Sequence, residues 1–231
     1  MYFVHIGAGA GDQDRKANFR CGFTEYIKKR YDENSKIFVL EANPNNIEKL
    51  RICYKNFKNI NIFNLAITSG DNDKLTLYYA NEDAPHFQVC SADINHVRKY
   101  YPNSKLENFS VKSISINNFL EKYSIHKIDY LSIDIEGLDY DVIMSIDFKK
   151  FNIRNISIEY LHLKRYQKKK LISFLIQNGY SYCGFGFDHN NFDYLFRKKI
   201  IVWNILISKL IHFISTKHYK YLNYFLTKKK L

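Results

Sequence analysis

The chain has 231 residues, 46% of them hydrophobic, which is enough apolar material for one core and too little chain for several domains. Its four cysteines, Cys21, Cys53, Cys90 and Cys183, form no Cys-x-x-Cys pair; this argues against a zinc knuckle or dithiol redox motif and for reduced thiols in a cytoplasmic protein. The net charge of +12 invites a nucleic-acid reading, but nine basic residues and no acid lie from Arg197 onward, so only +3 remains on the body, which is no basic footprint for nucleic acid.

In chain order, the apolar run Tyr2-Phe3-Val4-His5-Ile6 predicts a first strand, and a core strand starting there leaves no room for a signal peptide. Gly7, Gly9 and Gly11 follow at alternate positions, and residues 15–30 are helix-compatible. A strand, a glycine turn and a helix in that order place the turn at the carboxyl end of the strand, where open α/β sheets bind ligands. The register differs from the Gly-x-Gly-x-x-Gly of dinucleotide folds, and Asp12 would oppose a pyrophosphate, so the turn suits a nucleoside without phosphates. An ordinary βα turn is the bland alternative.

The second strand, 36–41, ends in Glu41, whose two carboxylate oxygens match two adjacent ribose hydroxyls. Asn43-Pro44-Asn45 starts a helix over 45–56, and a third strand spans 59–64. Lys74 to Ala80 reads as an extra strand after an Asn72-Asp73 turn. Residues 81–108 lack periodicity and carry His86, Ser91, Asp93, His96 and Tyr100, so they are expected to form a substrate lid or rim, with a short helix over 93–101 as the plainer alternative. Helices follow at 116–123, 139–146 and 164–177, and strands at 128–134 and 155–159. Two further strands flanking the turn cluster Phe187-Asp188-His189-Asn190-Asn191 make an antiparallel hairpin. Alternating strands and helices indicate a mostly parallel sheet, and closure by a hairpin fits a methyltransferase better than a dehydrogenase.

The densest chemistry lies at Ile133-Asp134-Ile135-Glu136-Gly137. Strand alternation puts Asp134 and Glu136 on one side, facing the same crevice as the glycine turn, and Glu159 ends the next strand. Crowded acids need protons, a metal or a cationic partner, and a sulfonium cofactor supplies one positive charge.

These segments carry a family resemblance. His5-Ile6-Gly7-Ala8-Gly9-Ala10-Gly11-Asp12, Leu40-Glu41-Ala42-Asn43-Pro44-Asn45, Asn64-Leu65-Ala66-Ile67, the stretch from Ile128 to Gly137, and Ile158-Glu159-Tyr160 together resemble the FkbM family of S-adenosylmethionine-dependent O-methyltransferases. The family pattern usually has Asp where this chain has His5, and Leu-Asp where it has Ile116-Asn117. The resemblance implies a Rossmann-like class I methyltransferase fold that binds S-adenosylmethionine. Gly7, Gly9 and Gly11 would pass under the methionine part, Glu41 would take the ribose, and Asn64 and Ala66 would border the adenine. Asp134 and Glu136 would face the methionine end and the acceptor, which in this family is mainly a hydroxyl of a sugar or polyketide-type product.

Methylating a hydroxyl calls for a base, and the candidates are Glu136, His162 and His86, in that order. Asp134, Glu136 and Glu159 also have the hard oxygens that suit Mg²⁺, but the metal-free reading is preferred. The rivals are an RNA-binding or RNA-modifying protein, prompted by the charge and 19 tyrosines, and a catalytically inactive methyltransferase-like binding protein, prompted by His5. The methyltransferase domain is expected over 1–198. The remaining segment, 199–231, reads as a basic amphipathic helix that docks on an anionic membrane surface at the inner face. Packing of that helix on the body, or on a second subunit in a homodimer, is the alternative use of its apolar stripe.

Overall fold

A computed structural model describes residues 1–13, 21–84, 89–186 and 192–198. His86 and the whole of 199–231 lie outside the described residues, as do 14–20, the first part of the expected helix 15–30. Among the described residues, no helix is long and apolar enough to cross a membrane.

The chain begins with β1 (Tyr2–Ile6), α1 (Gly22–Lys28), β2 (Lys36–Glu41), α2 (Pro44–Cys53) and β3 (Ile60–Asn64). The start of α2 is the one read from sequence: Asn43 is the N-cap, its side chain accepting from the Asn45 N–H, and Pro44 occupies the first turn. Next come β4 (Ala66–Thr68), β5 (Lys74–Ala80), α3 (Ile94–Tyr100), β6 (Leu106–Ser115) and α4 (Ile116–Lys122). The chain continues through β7 (Lys127–Ile128), β8 (Tyr130–Ile133), α5 (Asp139–Ser145), β9 (Asn152–Ile153), β10 (Asn155–Glu159) and α6 (Arg165–Gln177). It closes with the hairpin strands β11 (Tyr180–Phe185) and β12 (Asp193–Lys198).

Seven strands form the central sheet in the order β11-β12-β10-β8-β1-β2-β3. The neighbours from β10 to β3 run parallel, and β12 pairs antiparallel with both β10 and β11. The antiparallel hairpin at the edge is therefore where the sequence placed it. The strands are apolar on both faces because helices cover both. On one side Val4, Ile6, Leu131 and Ile133 pack with Phe119, Ile143 and Leu171 of α4, α5 and α6. On the other, Phe3, Ile37 and Val39 pack with Phe23 and Ile27 of α1 and Leu50 of α2.

One expectation needs correction. The predicted strand 128–134 is split at Asp129, which leaves the ladder to pair with β1: its carboxylate accepts from the Tyr2 N–H at 2.9 Å and its own N–H donates to the Tyr2 carbonyl at 2.8 Å. The short β7 then pairs with β9 instead. The described part of segment 81–108 contains the short helix given as the plainer alternative there. It holds α3, capped by Asp93, and the first residues of β6, which pairs along its length with β5 and at its end with β4. The three form a small second sheet.

Register brings the chemistry together. Ile6, Leu40, Ile133 and Ile158 stand side by side across β2-β1-β8-β10. The residue after each is therefore level with its neighbours: Gly7, Glu41, Asp134 and Glu159 form one row at the carboxyl edge of the sheet.

Candidate active site

Over that edge lies a cavity of about 410 Å³, a size suited to a small-molecule ligand. Gly7, Gly9, Gly11, Glu41, Ala66, Asp134, Glu136 and His162 all line it. Asn64 does not: its side-chain amide turns back to donate to the carbonyls of Glu41 and Ala42, at 3.0 and 2.8 Å, and fixes the chain beyond β2.

The three glycines have three different reasons. All have positive φ. A Cβ on Gly7 would lie 1.6 Å from the Asp134 carbonyl oxygen, so Gly7 permits the close packing of β1 on β8. A Cβ on Gly11 would meet Cys53 Sγ at 2.8 Å. A Cβ on Gly9 would meet nothing within 4 Å: this is the glycine whose bare backbone faces the cavity. Asp12, just beyond, is drawn away by Lys28 at 2.6 Å and by the Cys21 N–H.

Glu41 is buried, and its two oxygens accept from the Gly9 and Asn43 N–H groups, at 2.6 and 2.7 Å. Burial pushes its carboxyl up to about 7, against the pull of those two hydrogen bonds. His5 is buried and stacked on Phe23, and burial lowers it to about 3, so it is a neutral ring at neutral pH.

The other end of the cavity is acidic. Burial, then the neighbouring Glu159 and Glu136 charges, push Asp134 well above the ordinary carboxylate range. Glu159 is pushed up to about 10 by burial and by Asp139, Glu136 and Asp193. Asp139 is raised chiefly by burial; its oxygens accept from the Ile135 and Gly137 N–H groups and lock the turn.

Glu136 behaves differently. Burial acts to raise it, but hydrogen bonds with His162 and His96 prevail and hold it below its usual value. Glu136 Oε2 lies 3.0 Å from His96 Nε2 and 3.2 Å from His162 Nε2, and the latter nitrogen is also 3.0 Å from Glu159 Oε1. Tyr100 Oη meets the other nitrogen of His162, Nδ1, at 3.1 Å. The backbone at Glu136 is left-handed, with φ of 50°, a conformation that costs a non-glycine residue roughly 1–3 kcal/mol and that clusters at functional sites. The Ser91 hydroxyl, donating to the Glu136 carbonyl at 2.6 Å, helps to hold it.

Sequence reasoning named Glu136 and His162 but not their neighbours His96 and Tyr100 as site residues. Both sit on α3, whose N-cap Asp93 was a legible signal for the helix but not for its destination.

A sheet in this order, with a glycine turn ending its first strand and an acid ending its second, defines a Rossmann-like class I methyltransferase fold. Residues 5–185 match the family model described as "Methyltransferase FkbM domain", and the chain belongs to this family. S-adenosylmethionine is the cofactor that membership brings. Solved structures resembling the chain include fibrillarin of Aeropyrum pernix in complex with natively bound S-adenosyl-L-methionine, at 12% identity and a TM-score of 0.41, over 85% of this chain and 64% of that one. Another is precorrin-6y C5,15-methyltransferase of Geobacter metallireducens GS-15, at 15% identity and a TM-score of 0.37, over 85% and 78%. The chain thus spans less than two thirds of the fibrillarin's length. No curated protein matches the sequence.

Proposed function

We propose that this chain transfers a methyl group from S-adenosylmethionine to a hydroxyl of a sugar, in a glycan or glycolipid precursor. The observation that carries the reading is the division of one cavity into two ends: an open glycine with Glu41 at one, and Glu136 between two histidines at the other.

The residues present fit the cofactor. Gly9 leaves room for a ligand against bare backbone. Each Glu41 oxygen has a lone pair beyond the one used by backbone, which suits two ribose hydroxyls. Glu136, the ionised carboxylate of that end, favours a sulfonium, and a cation there would relieve the crowding that raises Asp134 and Glu159. S-adenosylmethionine supplies an activated methyl group there. The chain must hold the acceptor in line and take charge of its proton. Glu136 is the residue for the second task, because it is the carboxylate kept ionised, and His96 and His162 fix where it points. The sugar class of the acceptor rests on the FkbM resemblance. Incubation with S-adenosylmethionine and a panel of glycans and lipid-linked sugars, read by mass, should give the gain of one methyl on a hydroxylated acceptor. Methylation of RNA or of a nitrogen instead would reject the reading.

The Glu41 assignment has a pH signature. Ribose hydroxyls donate to the ionised carboxylate, so binding should lower its pKa from about 7 and release a proton. Cofactor affinity should therefore rise with pH, by up to roughly tenfold per unit below 7, and level off above it. In the cofactor-free protein the sign is opposite. A folded pKa raised above the ordinary 4.5 adds stability that is complete below 4.5 and lost as the pH rises through about 7. Calorimetric titration in buffers of different ionisation enthalpy measures the released proton. A pH-independent affinity between 5.5 and 8 would remove Glu41 from the ribose site.

A further inference from the structure

Two imidazoles and one carboxylate converge at the acceptor end of the cavity. His96 Nε2 and His162 Nε2 lie 3.0 and 3.2 Å from the same oxygen, Glu136 Oε2, and the ligating atoms of the three residues all fall within 4.8 Å of one another. An ion with bonds of about 2.0–2.2 Å to nitrogen and oxygen holds neighbouring ligand atoms roughly 3–3.5 Å apart, so these separations are those of one coordination shell.

The contacts of His162 reach beyond this triad. His162 Nε2 can carry one hydrogen, yet it stands 3.0 Å from Glu159 Oε1 and 3.2 Å from Glu136 Oε2. Glu159 is 95% buried, lines the cavity, and shares a hydrogen bond with the Asp134 carboxyl. Carboxyls crowded in this way must hold protons or face a cation, and an ion bound beside His162 supplies the second. The ring of His162 is oriented through its far nitrogen by Tyr100 Oη, the arrangement that ligating histidines use. The all-oxygen set Asp134, Asp139 and Glu159 is a weaker cage, because Asp139 does not line the cavity.

We propose that His96, Glu136 and His162 bind one divalent first-row transition ion, and that the acceptor hydroxyl enters the cavity as a further ligand of it. Imidazole donors favour zinc, iron, cobalt, nickel or manganese over magnesium and calcium, and three protein ligands leave positions open for substrate. The site itself stands on the geometry; its catalytic use rests on the methyl-transfer reading. In that use Glu136 binds the ion through Oε2, the ion polarises the hydroxyl, and the hydroxyl proton passes to the other oxygen of Glu136. A new O–C bond forms as the methyl C–S bond breaks, and the electron pair of that bond stays on sulfur. The ion keeps its oxidation state.

The test is Co²⁺ titration of chelator-treated full-length protein, followed by visible absorption. One equivalent should generate ligand-field bands that Zn²⁺ displaces. His96→Ala and His162→Ala should abolish them, Tyr100→Phe should weaken binding by roughly 10-fold or more, and His126→Ala, which changes a ring stacked on Phe151, should leave them unchanged. Each variant is also titrated with S-adenosylmethionine, and retained cofactor binding certifies its fold. Absence of the bands, or identical bands in folded His96→Ala and His162→Ala, would overturn the inference. Cofactor binding without Co²⁺ binding removes the ion and leaves the methyl-transfer reading standing. Co²⁺ binding without cofactor binding does the reverse.

Discussion

Replacing Glu136 by Gln should lower turnover by roughly 10²–10⁴ and leave cofactor affinity nearly intact. That range is about 2.7–5.4 kcal/mol of transition-state stabilisation. Gln keeps the size of the side chain and one oxygen but loses the charge. The residue is held in a left-handed turn by Ser91 and faces His96 and His162, so its position is fixed by groups that the substitution leaves in place. The loss should therefore appear in the chemical step, in single-turnover measurements as well as at steady state. Wild-type turnover in Glu136→Gln would remove this residue from proton handling, whether it acts directly or as a ligand.

Glu41→Ala should act at the other end. Removing the carboxylate takes away two acceptors for ribose hydroxyls and should weaken S-adenosylmethionine binding by about 1–3 kcal/mol. Part of that loss will be local, because the Gly9 and Asn43 N–H groups also lose their acceptor. Glu41→Gln separates the two effects: it retains one oxygen for backbone and should fall between wild type and Glu41→Ala. An unchanged dissociation constant in Glu41→Ala would reject the ribose assignment.

The parts of this fold legible from sequence are those whose signal is local. An apolar run ending in glycine or an acid announces β1, β2, β8 and β10, because a strand buried on both faces must be continuously apolar and its polar end must lie at the sheet edge. Pro44 after an Asn cap announces α2. β6 was not legible, since its pattern of exposed and half-buried residues follows from pairing with β5 and β4 rather than from a period of its own. The site divides the same way. Gly9, Glu41, Asp134 and Glu136 could be named because each stands at a strand end. His96 could not, because its contact with Glu136 spans 40 residues of sequence and depends on how α3 settles over the sheet edge. Asn64 shows the converse: its strand-end position was right, but its amide turns to backbone carbonyls, which no sequence pattern reveals.

The division of the cavity is tested most directly by calorimetric titration of S-adenosylmethionine into wild type, Glu41→Ala and Glu136→Gln, side by side at one pH above 7. Weakened binding in Glu41→Ala together with near-wild-type binding in Glu136→Gln is the expected result. Intact binding in Glu41→Ala with lost binding in Glu136→Gln would place the cofactor at the opposite end and contradict the assignment of both residues.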